Sequence, residues 1–283
     1  MHLYAERRGA GEPLLLIMGM AGHHRIWGEP FLSGLEKHFE LLIFDQRGIG
    51  TSERGAGQFS TADLADDAAR VMDEAGWSDA QVFGISLGGM VAQELALNHR
   101  ERVRRLTLGC TSPGFAAGVR PPGAGQKADA TAAGAGRATP ASRPPGIGPG
   151  PDLLLAAMRS GREETVLRTG FEVNLSAGFA ADPAHFAAYR EDALAVRVPA
   201  SVVGMQFQAA LRHDAVDRLP SLDVPALVIH GTADQMILPT EGERLAKLIP
   251  GAQLELLDGA GHLFWREQPE RVIDLLNRRP VGS

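Results

Sequence analysis

Short apolar runs and longer amphipathic stretches alternate along the first third of the chain. Residues 14–18 (LLLIM) and 41–45 (LLIFD) are too short for helices and too uniformly apolar for half-exposed strands, so they predict strands buried on both faces. Residues 61–74 put Leu64, Ala65, Ala68, Val71 and Met72 on one helical face, with Ser60 or Thr61 placed to cap it. A strand over 81–85, a helix over 87–98 and a strand over 103–108 follow. The same rhythm returns near the C-terminus, with a strand at 225–230 (PALVIH), a helix at 241–248, a strand at 253–257 and a helix at 269–278 opened by a proline. Buried strands joined by helices require a mostly parallel sheet covered on both faces, the arrangement of an α/β domain.

The middle of the chain breaks this rhythm. Residues 113–151 are rich in Pro, Gly and Ala, and hold few large apolar side chains beyond Phe115, Val119 and Ile147. Such a composition buries little surface, which predicts a flexible loop. Residues 152–218 then read as several helices, the first carrying Leu153, Leu154, Leu155 and Met158. The expected organisation is a core of residues 1–112 and 221–283 interrupted by an insert of residues 113–220. An insert between two strands of such a sheet is a lid over the ligand crevice or a decoration; the position of the crevice favours a lid.

Composition narrows the function classes. A net charge of −6 gives no basic footprint for nucleic acid. One cysteine, Cys110, excludes an intrachain disulfide. No apolar run is long enough to span a bilayer, and residues 14–18 follow charged residues and are too short for a secretory leader. The expectation is a cytoplasmic protein acting on a small molecule, with no nucleic-acid or membrane partner and an open oligomeric state.

The strongest chemical signal is Gly84-Ile85-Ser86-Leu87-Gly88-Gly89, between a predicted strand and a predicted helix. A sharp strand-to-helix turn holds a serine in a strained conformation and thrusts its hydroxyl into the open. Glycines leave room for the turn and for close packing, and the helix aims its positive end at developing negative charge. Without the flanking elements, the pattern reads as well as a glycine-rich turn with a capping serine.

At this point the chain resembles the α/β-hydrolase superfamily, particularly small-lidded bacterial esterases and the enol-lactone hydrolase group. The matching segments are LLLIMGMAG (14–22), FDQRGIGTS (44–52), FGISLGGMVAQELA (83–96), VIHGTADQMI (228–237) and GAGHLFWREQPE (259–270). They cover nearly the whole chain outside 113–151 and are far more specific for fold than for substrate. The resemblance implies an α/β-hydrolase fold with Ser86 as nucleophile, His262 as general base and Asp234 as the acid orienting it, in the chain order Ser, Asp, His that this fold uses. Asp258 competes for the acid role by nearness to His262. Some relatives draw the acid from the end of the preceding strand, but here that place holds Cys110-Thr111-Ser112, without a carboxylate.

Two backbone N–H groups should receive the oxyanion, from Leu87 and from Met20. Relatives usually carry His-Gly where this chain has Met18-Gly19, and Gly19 still permits the turn. Gly19, His23, Trp27, Met90 and Leu263 are candidates for the substrate pocket, although Trp27, Met90, Leu263, Phe264 and Trp265 read equally as core. His23 and His24 do not converge on one centre and no carboxylates cluster with them, so no metal is expected, and no cofactor. The segment Asp45-Gln46-Arg47-Gly48 should serve loop bonding and an ion pair, His230 should stabilise the loop carrying Asp234, and Cys110 should be a small buried hydrophobe. Relatives commonly begin with an antiparallel strand pair. Here residues 3–7 alone are available before the first buried strand, so the first of the pair should be missing or rudimentary and 3–7 should form the sheet edge.

The expected function is a serine hydrolase for an uncharged or weakly charged carboxylic ester, thioester or lactone with an apolar part. A carbon–carbon bond hydrolase or perhydrolase with the same triad, a small-molecule receptor and a non-hydrolytic enzyme such as a cyclase stand as alternatives.

Overall fold

Alternate residues of the apolar runs face opposite sides of one sheet. The computed structural model describes residues 1–114 and 145–278. Its strands are β1 (Ala5–Gly9), β2 (Glu12–Ile17), β3 (Phe39–Phe44), β4 (Ala80–Ile85), β5 (Val103–Gly109), β6 (Ala226–Gly231) and β7 (Gln253–Leu257). They form one sheet in the order β1-β3-β2-β4-β5-β6-β7, parallel throughout except for β1 against β3. The edge strand predicted at 3–7 lies two residues further on, with Ala5 opposite Phe44 and Gly9 opposite Glu40. The shift follows from the reversal into β2: Gly9 has φ +72°, and a methyl group there would lie 2.4 Å from the Phe39 carbonyl oxygen.

Helices cover both faces. They are α1 (Glu29–Leu35), α2 (Thr61–Glu74), α3 (Leu87–Asn98), α4 (Gly150–Arg159), α5 (Glu163–Asn174), α6 (Ala177–Ala180), α7 (Pro183–Ala195), α8 (Ala200–Arg212), α9 (Pro239–Leu248), α10 (Phe264–Glu267) and α11 (Pro269–Asn277). Leu15, Ile17, Leu42, Phe44 and Val82 pack with α2 and α3 in one core. Leu14, Leu16, Leu41, Ile43 and Phe83 pack with α1 and α11 in the other. Ser60 caps α2 in a reciprocal capping box with Asp63. No single helix among the described residues is long and apolar enough to cross a membrane.

The chain runs from β2 outward to β3 and then returns to β4 on the other side of β2. Strand order therefore reverses between β2 and β4, and ligand crevices of open α/β sheets form at the carboxyl ends of such strands. The residues leaving those ends are Met18–Met20 and Ser86.

Among the described residues, five α-helices, α4–α8, lie between β5 and β6. Most of the loop expected over 113–151 lies outside the described residues, but α4 begins at Gly150, inside that range. Of the side chains expected to lead it, Leu153, Leu155 and Met158 are about half exposed. The insert also feeds both cores, with Phe171, Leu175 and Phe186 on one face and Val202, Met205 and Ala209 on the other.

Trp27, a pocket candidate from sequence, is fully buried, with ring centroids 5.1 Å from Trp265, 5.5 Å from Phe83 and 6.0 Å from Phe31. Its ring is committed to the core, because α1 and α10 close around it. Trp27→Ala should lower unfolding stability by about 3–5 kcal/mol, the range for deleting a large buried aromatic, measured by denaturant titration.

Candidate active site

The serine is set by backbone crowding. Ser86 follows β4 directly and has φ +53° and ψ −122°, a strained conformation for a residue with a side chain. It is held on both sides. Its N–H donates to the Gly109 carbonyl (2.9 Å), and its own carbonyl accepts from Gly89 N–H (3.0 Å), Met90 N–H (3.2 Å) and Thr111 Oγ1 (2.6 Å). A methyl group at Gly84 would lie 2.2 Å from the Gly88 carbonyl oxygen, and one at Gly88 would lie 2.1 Å from that of Ile17. Only glycine lets α3 start this close to β2 and β4.

Asp234 sits three residues past β6, buried, at the tip of a turn. Its Oδ1 accepts the N–H groups of Met236 (2.7 Å) and Ile237 (3.1 Å). Its Oδ2 accepts His262 Nδ1–H (2.7 Å) and, as sequence reasoning did not foresee, lies 3.1 Å from His230 Nε2. His230 Nε2 is also 2.9 Å from the Ile237 carbonyl, a pure acceptor, so that nitrogen carries the proton. Burial works to raise the Asp234 pKa, but the charge of His262 and the hydrogen bonds from both histidines outweigh it and hold the carboxyl at about 2.

His262 lies in the loop after β7 and is 5% exposed. Asp234 occupies Nδ1, which leaves Nε2 as the nitrogen free to take a proton. The loop is tied down by Glu267, whose carboxylate accepts Gly261 N–H (2.7 Å) and Ser176 N–H (3.1 Å), and by Leu263 N–H donating to the Asn174 carbonyl (2.8 Å). Asn174 ends α5, so the insert helps to hold the histidine loop. Asp258, the competing acid, is exposed and reaches Thr232 Oγ1 (3.4 Å) instead of His262.

Cys110 joins the two halves of the site. Its Sγ, an Asp234 oxygen and a His262 nitrogen all lie within 4.8 Å of one another. Burial, with Asp234 adding to it, pushes the thiol pKa up, as expected of a small buried hydrophobe. These are metal-ligating residue types, yet His262 Nδ1 and Asp234 Oδ2 are already engaged with each other.

Gly19 brings the β2 loop against the serine: a methyl group there would lie 3.0 Å from Ser86 Cβ and 3.6 Å from its Oγ. Met20 follows, partly buried, and Ala21 has φ +57°. Leu87 is the first residue of α3, so its N–H has no partner within the helix. Met90 and Leu263 are buried. His23 is buried, and burial pushes its pKa below the ordinary histidine value. His24 turns away to Asp45, through its N–H (2.7 Å) and Nδ1 (3.0 Å). The Asp45–Gly48 turn does carry loop bonds and an ion pair, Arg47–Asp67 at 2.5 Å.

A mostly parallel sheet whose order reverses beside a strained strand-to-helix serine, with an Asp–His pair supplied by the loops after β6 and β7, is the arrangement of the α/β hydrolases. The family model for the alpha/beta hydrolase fold matches residues 12–267, and the chain belongs to that family. It is 26% identical over 281 residues to the pimeloyl-(acyl-carrier protein) methyl ester esterase of Aeromonas hydrophila, covering 98% of both chains. Over a shorter stretch of 106 residues, 38% of this chain and 40% of the relative, it is 43% identical to a protein of Azorhizobium caulinodans provisionally named a carbamate hydrolase. The solved structure of a thermophilic esterase from Thermogutta terrifontis, with malate bound, superposes with a TM-score of 0.74 at 26% identity, covering 97% of this chain and 91% of that one.

Asp234 also has a consequence for acid stability. Its folded pKa lies below the unfolded value of about 3.9, so the stability it contributes is present above that value and is lost as pH falls towards about 2. Between about pH 4 and 2 the parent should therefore lose more unfolding free energy than Asp234→Asn, as read by denaturation at stepped pH.

Proposed function

We propose that the chain is a serine hydrolase that cleaves a carboxylic ester or lactone through an acyl-enzyme on Ser86. The observation that carries this reading is the 2.7 Å bond between His262 Nδ1 and Asp234, which leaves Nε2 as the basic nitrogen in a site whose serine stands at a strained strand end.

In this reading Ser86 Oγ attacks the carbonyl carbon as its proton passes to His262 Nε2. The carbonyl π bond opens, and the resulting oxyanion is received by Met20 N–H and Leu87 N–H. As the tetrahedral intermediate collapses, the bond to the leaving oxygen breaks and His262 delivers the proton to it. Water then attacks the acyl-enzyme, giving its proton to His262, and the acid is released as Ser86 regains its hydrogen. Asp234 stays ionised and stabilises the imidazolium, in keeping with its low pKa. The mechanism asks for no cofactor or metal.

An apolar substrate portion is supported by the apolar character of Met20, Leu87 and Met90 around the serine. Helices α4–α8 act as a lid in this reading, supported by the Asn174 bond to Leu263 and the reach of α8 to the β2 loop. In this reading the working compartment is the cytoplasm and the partner is the small-molecule substrate, with no nucleic acid or membrane. The whole-length likeness to a methyl ester esterase supports ester chemistry without naming the ester.

The test is hydrolysis of aryl esters of graded acyl length, alongside lactones, by the parent and by Ser86→Ala. The parent should turn over at least one series, with a chain-length profile that reports pocket depth, and Ser86→Ala should lose about three orders of magnitude or more in kcat. Turnover retained by Ser86→Ala would sink the assignment. A folded parent inactive on every ester and lactone would turn the reading towards carbon–carbon bond cleavage or ligand binding.

A further inference from the structure

The turn after β2 offers Met20 N–H to the oxyanion in the reading above, and three successive peptide planes of that turn are each held by one hydrogen bond. The Met18 carbonyl accepts Gln46 Nε2–H at 2.7 Å. The Gly19 carbonyl accepts Gly22 N–H at 3.2 Å. Ala21 N–H donates to Gln206 Oε1 at 2.9 Å. The middle bond matters most for orientation. It pins the carbonyl of the Gly19–Met20 peptide, and in a trans peptide the Met20 N–H points the opposite way.

The first and third bonds are not independent. Gln206 Nε2–H donates to Gln46 Oε1 at 2.9 Å, so two carboxamides run in one direction from Ala21 N–H to the Met18 carbonyl. The backbone N–H can only donate and the backbone carbonyl can only accept, which leaves one orientation for each amide. Both side chains are buried, Gln46 at 2% and Gln206 at 0% exposure. A buried carboxamide is costly unless its donors and acceptors are met, and these meet each other and the turn. The turn also carries Ala21 at φ +57°, a conformation that persists in a residue with a side chain only when its surroundings enforce it.

Gln46 follows β3, in the core, whereas Gln206 lies on α8, in the insert. We propose that Gln206 is a positioning residue for the oxyanion hole: through Gln46 and Ala21 it holds the turn so that Met20 N–H stays aimed at the reacting carbonyl. This rests on the serine-hydrolase reading. It makes the insert part of the machinery for transition-state stabilisation as well as a cover. Any movement of α8 away from the sheet opens the Ala21 bond and loosens the hole.

The test compares the parent with Gln206→Met, Gln46→Met and the double variant, methionine being close to glutamine in volume and unable to sustain the relay. Three quantities are read on folded protein: kcat and KM for an aryl ester, affinity for an aryl boronic acid that mimics the tetrahedral intermediate, and hydrogen exchange of the peptide covering residues 18–22. Each single variant should lose about 10- to 100-fold in kcat, with KM nearly unchanged. Boronate affinity should fall by the same factor, and exchange over 18–22 should quicken. The double variant should be no worse than the poorer single one, because the two amides act as one unit. Parent-like kcat, boronate affinity and exchange in Gln206→Met would overturn the proposal, as would a rise in KM alone. If Gln206→Met does not fold, Gln46→Met breaks the same relay from the core side and carries the same expectations. A parent that hydrolyses no ester, with exchange still quickened in the variants, would count against the hydrolase reading and not against the relay.

Discussion

The site depends on how closely three pieces of backbone approach one another at the carboxyl ends of β2 and β4. The carbonyls of Gly88 and Ile17 stand where methyl groups on Gly84 and Gly88 would have to go, and Gly19 lies against the Ser86 side chain. Larger residues would push α3 off the sheet. The strained conformation of Ser86 follows from that approach, since the chain must reverse from strand to helix within one residue while the Ser86 carbonyl is held by three donors. Strain, exposure of the hydroxyl and the orphan N–H of Leu87 are thus consequences of one packing constraint.

Electrostatics then divides the labour among the buried groups. Asp234 receives two backbone N–H groups on one oxygen and faces two imidazoles with the other, and so it stays ionised although it is out of water. A charged carboxylate fixes the proton of His262 on Nδ1. His230, whose Nε2–H also faces the Ile237 carbonyl, closes the acid turn from below. Cys110 fills the neighbouring strand end with a neutral, fully buried thiol, so the acid has no competing negative charge beside it.

The insert takes part in this arrangement. Glu267 accepts N–H groups from both Gly261 and Ser176, and Asn174 at the end of α5 accepts Leu263 N–H, so the histidine loop is braced by helices from the insert. Gln206 on α8 braces the opposite loop. The histidine loop and the turn after β2 are therefore both held from the same inserted layer, which couples the placement of these two loops to the seating of that layer on the core.

The apolar periodicity of β2, β3, β4 and β6 and the Gly-x-Ser-x-Gly turn were legible from residues alone, because each records a local demand: burial on both faces, or room for a tight reversal. The resemblance added Asp234 and His262. Trp27 could not be resolved in that way. An aromatic residue just past the turn after β2 serves equally as pocket wall or core, and only the closing of α1 and α10 around its ring makes it core. His230 was expected to steady the acid loop, but its bond to the Asp234 carboxylate appears only when the turn brings Ile237 back over β6. Gln206 left no local signal at all. Its partners Gln46 and Ala21 lie 160 and 185 residues away in the chain, and a polar side chain on an amphipathic helix reads as solvated until tertiary packing buries it. Sequence by itself determined which elements form and which residue types can perform the chemistry. Tertiary structure decided which polar groups hold those residues in place, because a hydrogen-bond partner is chosen by the meeting of distant segments in space and not by the period of either one.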